Sequence, residues 1–399
     1  MMEKVRNSIF KFFLCTTIFA FSSNFLSAQN QSANIRKFIK GNISDKTEAV
    51  KSAGTEDGES LCEMGLNFVI ESFTSLGEDA ELNELAVASV LALPRAPYTD
   101  DKKNEQVADK LFLIFNSSSD ESVKIAVLSR LEYYSYGDNL TKAVGLINSF
   151  LKNASPLDKN FKSIIEPALV TLSKIGNFES LAIIFDAYVE NRWADFTPQV
   201  ENALLILSSN SIENTLKIIY GSNISNISKY FELVKNSDKI LKNFQSEIAE
   251  NVLFKVSNNT ENLPEDFDSV ENLRISALQV IAENKWARAS ASVAANFKLA
   301  KQNYDQKKLS ESQFIAVIKY TAALSSSEVV QALSDCLADF NRSTEKNSVP
   351  AEPVMLALIS SLGELGDKTA FDNLLYVSYL NYPTDVVEAS KKALALLKW

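Results

Sequence analysis

The sequence predicts an all-α chain, organised as a solenoid of about nine stacked helical hairpins. Three observations carry that prediction. Helix breakers are scarce, with 11 Gly and 9 Pro in 399 residues, against averages of roughly 7% and 5% in globular chains. Hydrophobic residues make up 46% of the chain, too many for disorder, and they recur at helical rather than strand spacing. One apolar, alanine-centred pattern also returns at intervals near 40 residues, the mark of stacked helical units.

Taken in order, residues 1–28 read as a secretory signal peptide. A basic start (Lys4, Arg6, Lys11) leads into an apolar stretch, Phe12–Phe21, and small residues precede Gln29. Cleavage after Ala28 fits the pattern. An uncleaved anchor is the alternative, because Phe12–Ala28 approaches the length of a membrane span. Cys15 is not read as a lipidation site, since Leu14 stands where such sites need a small residue. Residues 29–42 form a polar lead, and residues 43–399 form the repeat region, with its weakest pattern over 211–268.

Asp45 and Glu48 stand at capping-box spacing and predict a helix through Val50 and Ala53, closed by the glycines at 54 and 58. Leu61–Phe73 is apolar at helical spacing, Leu82–Leu93 is its partner, and Pro94–Asp101 ends the pair. From there the second-helix pattern repeats, marked by Ala86, Ala126, Ala168, Ala203, Ala277, Ala316, Ala357 and Ala393. The steps between markers are 40, 42, 35, 74, 39, 41 and 36 residues; the step of 74 is two of 37 and implies a degenerate unit between Ile212 and Val256. A small side chain at the marker suits helices that approach closely. The starts of these helices are signalled by Ser118 with Glu121, by Ser310 with Gln313, and by Thr197-Pro198 as N-cap and first-turn proline.

The last stretch, GELGDKTAFDNLLYVSYLNYPTDVVEASKKALALL, combines a Gly366-Asp367 turn, a first helix ending in Leu-Leu, a break at Tyr382-Pro383 and an Ala/Leu-rich second helix. In this it resembles the HEAT-repeat family. The resemblance also covers Val107–Asp138 and Ile164–Asn210; from Ile212 to Ser310 the loops are longer and the family's turn glycine is missing. Tetratricopeptide repeats fit less well, because neither their strict period nor their aromatic pattern is found. The resemblance implies a right-handed superhelical α-solenoid and is nearly silent on activity. A break into separate domains at Asn258–Asp268 is the alternative to one continuous array.

Composition excludes several function classes. There is no histidine, which removes the commonest general base, transition-metal ligand and pH switch. Formal charge is −10, and −12 once the net +2 of residues 1–28 is removed; so acidic an array is a poor default for nucleic acid or anionic lipid. No phosphate-binding loop, zinc spacing, nucleophile elbow or calcium loop occurs, and no cofactor is expected. Cys62 and Cys336 lie among apolar residues and read as buried free thiols. The carboxylate pairs Asp100-Asp101, Asp120-Glu121 and Glu265-Asp266 read as helix N-terminal charge that complements the dipole.

Two features stand out as partner-binding candidates. The first is a basic run, Lys285–Lys308, containing Arg288, Lys298, Lys301, Lys307 and Lys308, which offers a docking face for an acidic partner; a merely solvated helix face is the plain alternative. The second is aromatic: Tyr133, Tyr134 and Tyr136 at one helix end, and Tyr376, Tyr379 and Tyr382 with Trp399 at the C-terminus. Aromatic residues anchor interfaces, or they pack between repeats. The expectation is therefore an exported protein, periplasmic or extracellular, acting as a non-enzymatic scaffold that binds a protein partner, without stable membrane insertion once the signal is removed. A ligand carrier or enzyme with a pocket in the groove, as in HEAT-repeat pigment lyases, and end-to-end self-association are the competing readings. The apolar ending ALALLKW is unusual for a terminal repeat, which normally turns a polar face outward.

Overall fold

The computed structural model describes residues 32–77, 79–154, 159–258 and 267–398. The signal segment with Cys15, Glu265-Asp266 with most of the Asn258–Asp268 connection, and Trp399 lie outside the described residues. Among those described, the regular structure is twenty α-helices with short 3-10 turns and no β-strand, and no helix is long and apolar enough to cross a membrane. The all-α expectation holds.

The chain divides into two compact units. The N-terminal unit holds the described residues up to Ile183 with Trp193–Gln199, and the C-terminal unit holds Ile184–Arg192 with those from Val200 onward. The first contains α1 (Ala33–Lys40), α2 (Ile43–Lys51), α3 (Gly58–Leu76), α4 (Ala80–Ala92), α5 (Asp101–Ser117), α6 (Glu121–Tyr134), α7 (Asp138–Asn153) and α8 (Lys159–Ile175). The helices α9 (Phe178–Val189) and α10 (Thr197–Asn210) carry the division. The second unit continues with α11 (Ile212–Gly221), α12 (Ile224–Lys235), α13 (Lys242–Ser257), α14 (Phe267–Glu283), α15 (Ser290–Asp305) and α16 (Glu311–Ala322). It ends with α17 (Ser327–Glu345), α18 (Glu352–Leu365), α19 (Phe371–Val377) and α20 (Thr384–Leu396).

Within each unit helices pack on their next and next-but-one neighbours. In the first unit α3 meets α4 and α5, α4 meets α6, α5 meets α6 and α7, and α6 meets α8. In the second, α13, α15, α17 and α19 stack in one row and α14, α16, α18 and α20 in another. Odd and even helices thus form two layers, each sealing the apolar face of the other. All eight alanine markers fall on even helices. Six are buried, and Ala316 and Ala357 are half-buried.

Close approach is the reason for small residues here. A Cβ added to Gly363 in α18 would sit 2.9 Å from the Cα of Ala393 in α20, and one added to Gly65 in α3 would sit 2.2 Å from Ser89 Oγ in α4. The Gly366-Asp367 turn forms as expected: Gly366 is left-handed at φ 68°, and Asp367 caps Thr369 N at 2.8 Å. The chain then folds back on this turn. Leu397 is buried, and Lys398 N donates to Gly366 O at 2.7 Å. The exposed face of α20 carries Asp385, Glu388, Lys391 and Lys392, so the last helix does present a polar surface beside its exposed Leu396.

Helix starts needed three corrections. The box at the start of α2 is Asn42 with Asp45, one turn earlier than Asp45 with Glu48, because Asn42 is the residue with extended backbone. Asp120, not Ser118, caps α6, accepting from Val123 N at 3.0 Å; Ser118 ends α5 and accepts from Asp120 N. A 3-10 turn, Ala194–Phe196, feeds into α10, so Thr197 is already helical and its hydroxyl donates back to Ala194 O at 2.9 Å. Ser310 and Gln313 form the expected reciprocal box. Asp100 and Asp120 are N-caps, with Asp101 and Glu121 in the first turns behind them, as the dipole argument requires.

A second device was not visible in the sequence. Lys46 donates to Phe38 O at 2.5 Å while its ammonium lies 5.0 Å over the Phe38 ring. Lys124 does the same to Phe115, at 2.6 and 4.2 Å, and Lys229 to Tyr188, at 2.6 and 4.6 Å. In each case a lysine from a later helix occupies the negative end of an earlier one, where a cation is worth about 0.3–1 kcal/mol, and an aromatic face holds it in place.

Candidate functional site

The residues of the basic run that converge with other charged groups do so in an open groove of about 860 Å³ in the C-terminal unit. One wall is the end of α15. Its last turn closes on Lys307, left-handed at φ 58°, with Lys308 N donating to Asn303 O at 2.8 Å. The other wall is the end of α17, which closes in the same way on Asn347 at φ 60°. The charged lining is Lys301, Lys307, Arg342 and Lys346 against Asp305, Glu311 and Asp339.

Much of this charge is already matched. Lys301 pairs with Asp305 at 2.6 Å and lies 4.7 Å over the Phe340 ring, and Arg342 pairs with Asp339. Among the described residues Lys307 and Lys346 make no ion pair, so the groove keeps a small positive excess beside Glu311. Tyr304 forms part of the lining, its ring stacked on Phe314 at 4.5 Å; burial pushes its hydroxyl up, and Glu311 and Asp305 push it further. Such a surface suits recognition through exposed ion pairs, worth about 0.2–1 kcal/mol each.

The other candidates do not join it. Arg288 is held by its own chain, 3.1 Å from both Glu247 and Glu250, with its guanidinium over the Trp286 ring. Lys298 is exposed on α15 outside the groove lining, and Lys308 lies 5.9 Å over the Phe267 ring. The run Lys285–Lys308 is therefore not one positive face. Tyr134 and Tyr382 are buried and hydrogen-bonded, to Pro94 O at 2.8 Å and Asn341 Oδ1 at 3.0 Å. Tyr376 is exposed and donates to Glu345, while Tyr379 is 73% exposed at the end of α19.

Asp339, Arg342 and Lys346 were missed. The period did not mark them: the marker step across these helices, Ala316 to Ala357, is 41 residues and carries Lys307 to Ser348. Among the described residues, Cys62 and Cys336 are free and buried. Burial pushes the Cys62 thiol up to about 12 and moves Cys336 in the same direction, which leaves neither poised as a nucleophile. No cluster of His, Cys, Asp and Glu suited to a metal ion occurs among the described residues. Compared with models of protein families and with curated proteins, the chain matches none.

Proposed function

We propose that this chain is an exported, non-enzymatic adaptor, a HEAT-like, right-handed superhelical α-solenoid of about nine hairpins that binds a protein partner along its surface. The observation that carries the reading is the layering within each unit, in which next-but-one helices stack and all eight alanine markers lie on the even layer. Such stacking gives long surfaces of repeated helix faces. Export rests on the layout of residues 1–28, and N-terminal sequencing of the protein from the cell envelope or medium is expected to begin at Gln29.

Site-specific photo-cross-linking in the native cell tests the adaptor role. Leu91 and Val170 are exposed on even helices, and Leu113 and Phe254 on odd ones. An adaptor gives adducts with the same partner from positions on one layer and none from the other. Equal yields on both layers, or no protein adduct at any position, would contradict it. End-to-end association is a second reading, supported by the exposure of Tyr379 in the turn after α19 and of Leu396 at the end of α20. It predicts concentration-dependent sedimentation that Tyr379→Ser with Leu396→Ser removes.

A further inference from the structure

A second groove, of about 510 Å³, opens on the even layer of the N-terminal unit between α6 and α8. Its lining includes Ile125, Pro167 and Val170, the last 44% exposed. Two arginines share it, Arg95 and Arg130. Arg130 is only 5% exposed, and its guanidinium donates to Leu91 O at 2.9 Å, Leu93 O at 3.1 Å and Ser129 O at 3.3 Å. Those acceptors are neutral, and among the described residues neither arginine has an ion pair. After burial, the strongest influence on Arg130 is the like charge of Arg95. Leu91 O and Leu93 O lie at the C-terminal end of α4, so Arg130 is held as Lys46, Lys124 and Lys229 are at their helix ends, and the exposed Arg95 of the same groove is the cation left without a carboxylate. That open guanidinium suits an anionic group of a ligand.

The groove has a third property. Pro167 stands inside α8 and has no N–H, so the carbonyl of Ser163, a lining residue, loses its ordinary helical donor. Positive charge, an apolar floor and a backbone acceptor thus occur together. Glu132 and Lys174, also in the lining, already pair with each other. Glu166, the remaining carboxylate of the lining, disfavours a run of acids and selects for a single anionic group.

We propose that this groove docks an extended segment of a partner protein in which one carboxylate side chain neighbours an aliphatic one. The carboxylate sits on Arg95 with Arg130 behind it, the aliphatic side chain covers Ile125, Pro167 and Val170, and a backbone N–H of the segment reaches the Ser163 carbonyl. A fatty acid would satisfy the first two features and leave the carbonyl without a donor. The proposal rests on the adaptor reading and names the chemistry of its partner.

The test is selection from a random peptide library displayed on phage against the purified chain, repeated with Arg95→Glu and Val170→Asp. Both positions are exposed, so each variant is expected to keep the parent's thermal melt. Enriched peptides are expected to carry Asp or Glu beside Leu, Ile or Val. They should lose roughly tenfold or more in affinity on Arg95→Glu, a change of about 1.4 kcal/mol, and a similar factor when the acid is changed to its amide. Enrichment without an acidic residue, indifference to Arg95→Glu, or no enrichment would overturn the site. Competition by oleate at this groove would assign it to an acyl chain instead. Peptides that bind but ignore Arg95→Glu remove this groove and leave the adaptor reading standing, whereas failure of the photo-cross-links removes the adaptor reading itself.

Discussion

The last hairpin and the α11–α13 segment, both in the C-terminal unit, solve the same packing problem by opposite means. In α18 and α20 the helices close on small residues, Gly363 against Ala393, and a left-handed Gly366 turns the chain. In α11–α13 the even helix α12 has no alanine at all. Its place in the layer is filled by Tyr230, fully buried, with its hydroxyl 2.6 Å from Ser208 Oγ. The helix ends there are held by lysine: Lys255 donates to Ile219 O, Tyr220 O and Ser222 O at 2.8, 2.9 and 2.5 Å. A repeat pattern defined by small residues sees the first solution and overlooks the second. The unit that looked degenerate is instead packed with larger and more polar groups.

Truncating the aromatic should break the second solution most severely. Tyr230→Ala is expected to cost about 4 kcal/mol by comparison with other large core truncations, read from urea unfolding, while a conservative Gly363→Ala should cost less. Removing the lysine crown comes next. Lys255→Met keeps the stem and loses the charge-assisted bonds, and about 1.5 kcal/mol should be lost, allowing for partial exposure; an unchanged urea midpoint would show that the bonds contribute nothing.

The hydroxyl of Tyr230 gives a pH test. Burial pushes it from an ordinary value near 10 up to about 12. The folded-state value is raised, so its stabilising contribution is complete below pH 10 and is lost as pH rises through about 12. Stability measured across that window should fall less steeply in Tyr230→Phe than in the parent, and parallel curves would refute the assignment. The smallest effect concerns turns. Lys285, at φ 50°, holds a position that favours glycine. Lys285→Gly should therefore raise stability, by up to about 1 kcal/mol, seen as a higher melting temperature.

These differences explain what could be read from the residues alone. Helix content, the alternation of first and second helices and the Ser310 box were legible, because each depends on neighbours within one turn or on a fixed period. The missing turn glycines between Ile212 and Ser310 were legible only as an irregularity. Lys285 and Lys307 take that conformation, and a lysine carries no local mark of a left-handed backbone. The basic run looked like one face because spacing along a chain does not show which carboxylates return to it; Glu247 and Glu250 reach Arg288 from the preceding pair of helices. The Arg95–Arg130 groove was hidden for the same reason. Its parts come from three helical pairs, and Arg130 reads as an ordinary helical arginine until its neutral acceptors are seen.

Hydrogen exchange on Gly363→Ala tests the stacking most directly. The added methyl meets the backbone of Ala393, so α18 and α20 must shift. If each helix is held only by near neighbours, amide protection falls most in α18–α20, less in α16 and α17, and not at all in α11–α13. An equal loss of protection in α11–α13 and in α18–α20 would show a single cooperative core and contradict a one-dimensional array.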